Sequence, residues 1–240
     1  MQYENMDSLK FFSGSIKTKG KLYGPLMGKE FFINYHFSDT AFKYEYVETN
    51  NESGLIINYS SKAVTLYARE YNIKRKFTTS LSDFEVKFDS LNFFKDCVNR
   101  LYSKIKIPEF IGEQIDYGQF EGVKFNLINY KDKNAKLDIY DLKLKIPGYV
   151  TRIAFKELPK EVRYFPLINR YKRELGWIEK ILLKLSEIAI ESIEIIDLEP
   201  NIFEIKEGYE TVDKIGYSKS DYYDKENHKR PKSIFDMFDD

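Results

Sequence analysis

Between Lys29 and Phe88 apolar side chains recur at every second position in short runs, and turn residues interrupt the runs at regular intervals. Phe31, Ile33, Tyr35 and Phe37 alternate, Ser38-Asp39-Thr40 turns the chain, and Phe42, Tyr44 and Tyr46 alternate with Lys43 and Glu45. A period of two puts one face of each segment on a core and the other in water, the pattern of an amphipathic strand. Asn50-Asn51-Glu52-Ser53-Gly54 breaks the run, a second pair follows at 55–59 and 64–68, and a third is expected at 73–78 and 84–88. Six short strands in succession predict a mainly antiparallel sheet.

Two segments carry helical spacing instead. Ser90 stands as an N-cap before Leu91, Phe94, Val98, Leu101 and Ile105, and Pro108 ends the run. Tyr171, Leu175, Ile178, Leu182, Leu185 and Ala189 step by three and four, with Lys172, Arg173, Glu179, Lys180 and Lys184 between them. The expected class is therefore α+β, with mainly antiparallel sheet and two principal helices at about 90–105 and 168–192. Glycines and prolines between 108 and 122 mark a boundary. The predicted organisation is a β-rich region closed by a helix (1–107), a second hairpin region with the long helix (108–206), and a flexible tail (207–240). The tail is assigned where apolar density falls and Gly208, Gly216, Ser218 and Ser220 enter. In the first 28 residues glycines punctuate turns, and the run Lys17-Thr18-Lys19-Gly20-Lys21 reads as a solvated loop, the alternative being contact with a phosphate backbone.

Charge excludes a global field: Lys plus Arg and Asp plus Glu number 38 each, so no net potential draws the chain to nucleic acid or anionic lipid. One cysteine, Cys97, forbids an internal disulfide and fits a reducing compartment; beside Val98 and Phe94 it reads as a buried structural thiol. No apolar run is long enough for a membrane span and no secretory leader is evident, so a cytoplasmic protein without a membrane partner is expected.

Catalytic signatures are sparse. The two histidines, His36 and His228, with Cys97 do not make a typical structural zinc set, and neither a Walker A loop nor a dinucleotide-binding glycine fingerprint follows a strand. A Ser-His-Asp arrangement would have to use His36, and no Gly-x-Ser-x-Gly elbow accompanies it. No cofactor or resident metal is expected. One enzymatic alternative survives: Asp141-Leu142-Lys143 with Asp116, and the similar triplet Glu85-Val86-Lys87, offer paired acids and a lysine of the kind that PD-(D/E)xK nucleases place around Mg²⁺. The competing reading is a charged outer face of amphipathic strands.

Basic residues interleave with aromatics in the first half: Lys43-Tyr44, Tyr67 with Arg69, and Lys74-Arg75-Lys76. Cations for phosphate and rings for bases are what a single-stranded nucleic acid requires of a sheet. The alternative is that the rings fill the core while the cations face water.

The C-terminal stretch is the most specific signal. After Lys229-Arg230-Pro231, the residues Lys232-Ser233-Ile234-Phe235-Asp236-Met237-Phe238-Asp239 crowd apolar side chains onto a polar tail. This tip resembles the sliding-clamp-binding peptide at the C-terminus of T-even-type bacteriophage DNA polymerases, in which a basic stretch precedes a Ser-Leu-Phe-Asp-Met-Phe-like end. It departs from the broader clamp-binding box at Pro231, where a glutamine is usual. The resemblance implies a docking peptide carried by Ser233, Ile234, Phe235, Met237 and Phe238, and says nothing of the body. The leading expectation is a non-enzymatic accessory factor of a phage-type replication or transcription machinery. Alternatives are a single-stranded DNA-binding protein with a partner-recruiting acidic tail, a virion structural or assembly protein, and the Mg²⁺-dependent nuclease.

Overall fold

The computed structural model describes residues 12–23, 28–88, 115–120, 123–132, 135–142, 144, 146–147, 150, 165–173 and 184–213. Twelve strands lie in one sheet: β1 (Gly14–Tyr23), β2 (Gly28–Phe37), β3 (Ala41–Val47), β4 (Asn51–Asn58), β5 (Ala63–Glu70), β6 (Ile73–Ser80), β7 (Ile115–Phe120), β8 (Val123–Asp132), β9 (Ala135–Leu142), β10 (Phe165–Arg173), β11 (Lys184–Glu194) and β12 (Glu210–Thr211). Their spatial order is β12-β6-β5-β4-β3-β2-β1-β11-β10-β9-β8-β7. Two antiparallel meanders, β1 to β6 and β7 to β11, are thus joined through the antiparallel pairing of β1 with β11. Among the described residues, only β12 is parallel to its neighbour, β6.

The period-two pattern dictates the faces. Phe31, Ile33, Tyr35 and Phe37 are buried on β2, opposite Phe42 and Tyr44 on β3, and Leu55, Ile57, Val64 and Leu66 extend the layer across β4 and β5. In a flat sheet β10 would stand roughly 14 Å from β2, three strand spacings away. Yet the Phe165 ring lies 5.1 Å from Phe37 and 5.5 Å from Tyr35. The sheet therefore coils, with its apolar face inward.

Local chemistry sets the turns. Between β2 and β3 the Ser38 hydroxyl accepts from the amides of Thr40 and Ala41. Between β4 and β5 Asn58 Oδ1 accepts from the Ser61 amide and from the hydroxyls of Ser60 and Ser61. Ser80 Oγ accepts from the Asp83 amide and caps α1 (Leu81–Phe88), which packs Leu81 and Phe84 inward. Residues 84–88 therefore do not form the expected strand: Leu81 and Phe84 also satisfy a helical step, and the serine cap decides between the two periods.

The α+β class with two principal helices is corrected. The described chain is a sheet protein with one short helix and a 3₁₀ turn at Pro200–Phe203. The expected helix at 90–105, with Cys97, lies outside the described residues, but the one at 168–192 is replaced at both ends by β10 and β11. The cause is visible in the register of β11 on β1. Leu185, Ile188, Ile190 and Ile193 stand opposite Leu22, Gly20, Thr18 and Ile16, and the register slips by one residue at each of two bulges. Inward positions on β11 thus step by three, two and three, which imitates helical spacing. At the first bulge the Ser186 hydroxyl donates to the Lys21 carbonyl at 3.0 Å.

Three smaller expectations change with it. Residues 115–120, inside the expected boundary region, form β7. Lys17, Lys19 and Lys21 lie on β1 rather than in a loop; Lys17 pairs with Glu191 at 2.7 Å and Lys19 with Glu30 at 3.0 Å. Order continues beyond 206, because β12 pairs with β6 and Tyr209 packs on Tyr67. Among the described residues, no helix is long and apolar enough to cross a membrane.

Candidate functional site: a charged network under a crossing strap

Opposite the apolar face, alternation brings a row of polar side chains together. His36 on β2 stands across from Lys43 on β3, and Glu45, two residues on, stands across from Gly54, which in turn faces Tyr67. Gly54 has a spatial reason: a Cβ there would lie 2.3 Å from the Tyr67 ring. Without it the tyrosine lies flat across β4, and its hydroxyl donates to Glu45 Oε1 at 2.8 Å. The Lys43 ammonium donates to the same oxygen at 2.7 Å, and His36 Nε2 faces Oε2 at 3.4 Å.

Glu45 is acceptor-only when ionised, so in the neutral histidine the proton sits on Nε2. Nδ1 then accepts from the Ser15 hydroxyl at 2.8 Å. Burial by itself would raise the Glu45 carboxyl. The hydrogen bonds from His36, Lys43 and Tyr67 and the charge of Lys43 outweigh it and hold the group well below the carboxylate range. Burial, followed by the Glu45 charge and hydrogen bond, pushes the Tyr67 hydroxyl well above its ordinary value.

After β11 the chain crosses this face as a strap. Its start is tied to the N-terminal side of β1, where the Ser13 hydroxyl donates to the Ile196 carbonyl at 2.9 Å. Over β3, Lys43 Nζ donates to the Ile202 carbonyl at 2.9 Å. Over β5, the Tyr209 ring meets Tyr67 edge-on with centroids 5.8 Å apart, and Lys74 Nζ stands 5.8 Å from the same Tyr209 ring. Burial, with the charge of Glu52, pushes the Tyr209 hydroxyl up to about 12. The strap ends on the β6 edge, where the Val212 amide donates to the Lys76 carbonyl at 2.9 Å.

The structure divides the residues expected to bind nucleic acid. Lys43, Tyr67, Arg69, Lys74 and Lys76 share the strapped face by alternation and register, whereas Tyr44 and Arg75 alternate to the other side. Tyr44 is buried there, its ring 5.6 Å from Tyr35. On the strapped face Lys43 serves Glu45, and Arg69 faces Glu52 at 3.3 Å.

The nuclease candidates are not brought together. Asp116 is on β7 and Asp141 on β9, with β8 between them, so the expected pairing on adjacent strands does not form. Glu85 and Lys87 fall in α1, after β6 at the far end of the sheet order, and Lys143 lies outside the described residues. Among the described residues, no group of three or more His, Cys, Asp or Glu is placed to hold a metal ion. The tail residues Ser233, Ile234, Phe235, Met237 and Phe238 also lie outside the described residues.

Sequence reasoning did not find Glu45 as a hub, Gly54 as the floor beneath Tyr67, or the strap. A signal for the second was available, because a glycine within a strand marks a bulge or a close approach, but Asn51-Glu52-Ser53-Gly54 reads as a turn when taken alone.

No family model matches the chain, and no curated protein matches it. Among solved structures the chain is similar to PNGF-II in the P21 and C2 space groups. The TM-scores are 0.35 and 0.34 at 10% and 9% identity, covering 84% and 83% of this chain. The chain spans 31% and 30% of the length of those two chains. At these TM-scores the likeness carries no argument about fold or function.

Proposed function

We propose that the protein is a non-enzymatic accessory factor of a phage-type DNA replication or transcription machinery, docked on a sliding clamp through Ser233, Ile234, Phe235, Met237 and Phe238. The observation that carries this reading is the sequence Lys232-Ser233-Ile234-Phe235-Asp236-Met237-Phe238-Asp239 itself. An apolar peptide on a polar leader docks at modest cost when its target is a ring offering repeated pockets, because effective concentration offsets ordering entropy. In the sequence, residues 214–232 lie between Asp213, the last described residue, and the peptide. The test is calorimetric titration of a T-even-type phage clamp with the full chain and with a variant carrying Ile234→Ala, Met237→Ala and Phe238→Ala. Loss of at least about tenfold in affinity, on the scale of burying apolar anchors, is expected. Undiminished binding by the variant removes the reading.

A second reading, a protein that binds single-stranded nucleic acid, is favoured by one observation: Lys43, Tyr67, Arg69, Lys74 and Lys76 lie on one face of the sheet. No geometry favours the virion-assembly reading. The nuclease is not carried forward, because its acids stand on non-adjacent strands.

A further inference from the structure

The polar face and the segment that crosses it are complementary in two independent respects. The first is charge. Residues 197–213 carry Asp197, Glu199, Glu204, Glu207, Glu210 and Asp213 against the single Lys206, while the β5–β6 part of the face beneath presents Arg69, Lys74 and Lys76. The second is aromatic placement. Tyr209 stands against Tyr67 and beside the Lys74 ammonium. A ring standing edge-on to Tyr67 and beside the Lys74 ammonium, on a segment rich in carboxylates, covers a surface of rings and cations, the two features with which a sheet takes the bases and phosphates of a single strand.

The strap is also lightly held. None of residues 194–213 is fully buried, its 3₁₀ turn has no buried residue, and β12 pairs over only two positions. Beyond that two-position ladder, the strap is attached by hydrogen bonds at Ile196, Ile202 and Val212 and by the ring contacts of Tyr209. Segments with few buried apolar contacts open at low free energy.

We infer that the acidic segment 197–213 is an occluding strap over a face that binds single-stranded nucleic acid, its carboxylates and Tyr209 holding the places that phosphates and a base take when the ligand displaces it. The inference rests on the second reading above. Lys43 and Glu45 stay paired in both states and act as floor; the exchanging groups are Tyr67, Lys74 and Lys76. Because strap and ligand compete for one surface, the affinity observed for the intact chain is lowered by the fraction of time the strap is closed.

The test is fluorescence anisotropy of a labelled oligothymidylate titrated with the full chain at low salt. Two strap variants are compared with the wild type. Tyr209→Ser removes the ring, and Val212→Pro removes the amide that donates to Lys76. Neither changes the charge, so a gain cannot come from altered attraction to phosphate. Each is expected to tighten binding by about fivefold to tenfold, the value of one aromatic contact or one strand hydrogen bond. Adding Lys74→Glu and Lys76→Glu to either variant is expected to abolish the gain. In the wild type, oligothymidylate should also speed tryptic cleavage after Lys206.

If both strap variants bind as the wild type does, while Lys74→Glu and Lys76→Glu weaken all three, the face binds nucleic acid and the strap inference falls. If no form binds at low salt, the second reading fails and the inference falls with it. Unchanged urea midpoints in Lys74→Glu and Lys76→Glu, whose side chains are only partly buried, guard against reading loss of fold as loss of binding.

Discussion

Tyr67 reaches over Gly54 to donate its hydroxyl to Glu45, linking β5 to β3 across the full width of β4. This contact sits at the middle of a network in which one carboxylate receives lysine, tyrosine and histidine donors. Such a group is costly to leave unpaired and stabilises the fold only when every donor is in place.

Tyr67→Phe keeps the ring over Gly54 and deletes only the hydroxyl. It is expected to lower stability by about 1.5–3 kcal/mol, the range for hydrogen bonds to charged groups. Glu45→Ala should cost more, about 3–5 kcal/mol, because it leaves the Lys43 ammonium buried without its counter-charge. Urea unfolding monitored by circular dichroism ranks the two; a smaller loss for Glu45→Ala contradicts the assignment of Glu45 as the hub.

Gly54→Ala puts a Cβ where the Tyr67 ring now lies and should cost about 1–3 kcal/mol through overpacking. The same change in a Tyr67→Ala background meets no ring, and its cost should vanish. A double-mutant cycle measures the coupling directly, and additive costs would show that the ring is not what requires glycine.

The network ties stability to pH from both sides. The Glu45 carboxyl is depressed below its ordinary 4.5, so its contribution is complete above that value and is lost as pH falls through the folded-state value. Tyr67 is raised well above 10.0 and Tyr209 to about 12, so their contribution is complete below 10.0 and is lost as pH rises through the folded-state values. Urea midpoints should therefore fall below about pH 4.5 and above about pH 10. Glu45→Gln is expected to flatten the acid limb and Tyr67→Phe the alkaline one. Parallel curves for wild type and variants would refute the linkage.

On the apolar face, Thr18 is buried between Ile33 and Ile190, and its hydroxyl has no hydrogen-bond partner among the described residues. Thr18→Val replaces that hydroxyl with a methyl of similar size. It should raise stability by about 1 kcal/mol, the cost of an unsatisfied buried donor. A lower thermal midpoint would show that the hydroxyl is satisfied.

What could be read from the sequence was what two-residue alternation writes plainly. Phe31 to Phe37 and Phe42 to Tyr46 announce β2 and β3, because in each an apolar residue returns at every second position. β11 could not be read in the same way: its two bulges spread Leu185, Ile188, Ile190 and Ile193 at unequal steps that overlap a helical stripe. Bulges are recognised from the partner strand, and the partner, β1, was hidden in a glycine- and lysine-rich stretch that resembles a loop when read alone. The strapped face was half legible. Lys74 and Tyr67 advertise themselves as cation and ring, but nothing in the local pattern says that an acidic segment far along the chain lies over them.

Because β1 pairs on one side with β2, its neighbour in the chain, and on the other with β11, the sheet joins segments that lie far apart in the chain. The first meander can zip up from local hairpins as soon as residues 14–80 exist. The β1–β11 seam must wait for the second half and bears the loop-closure entropy of a long intervening chain. Folding should therefore show a fast phase that forms the first meander and a slower one set by closure of the seam. During synthesis the outer edge of β1 stays open until residue 194 has emerged. Its alternating lysines, at 17, 19 and 21, keep that edge charged and discourage pairing with other chains in the interval.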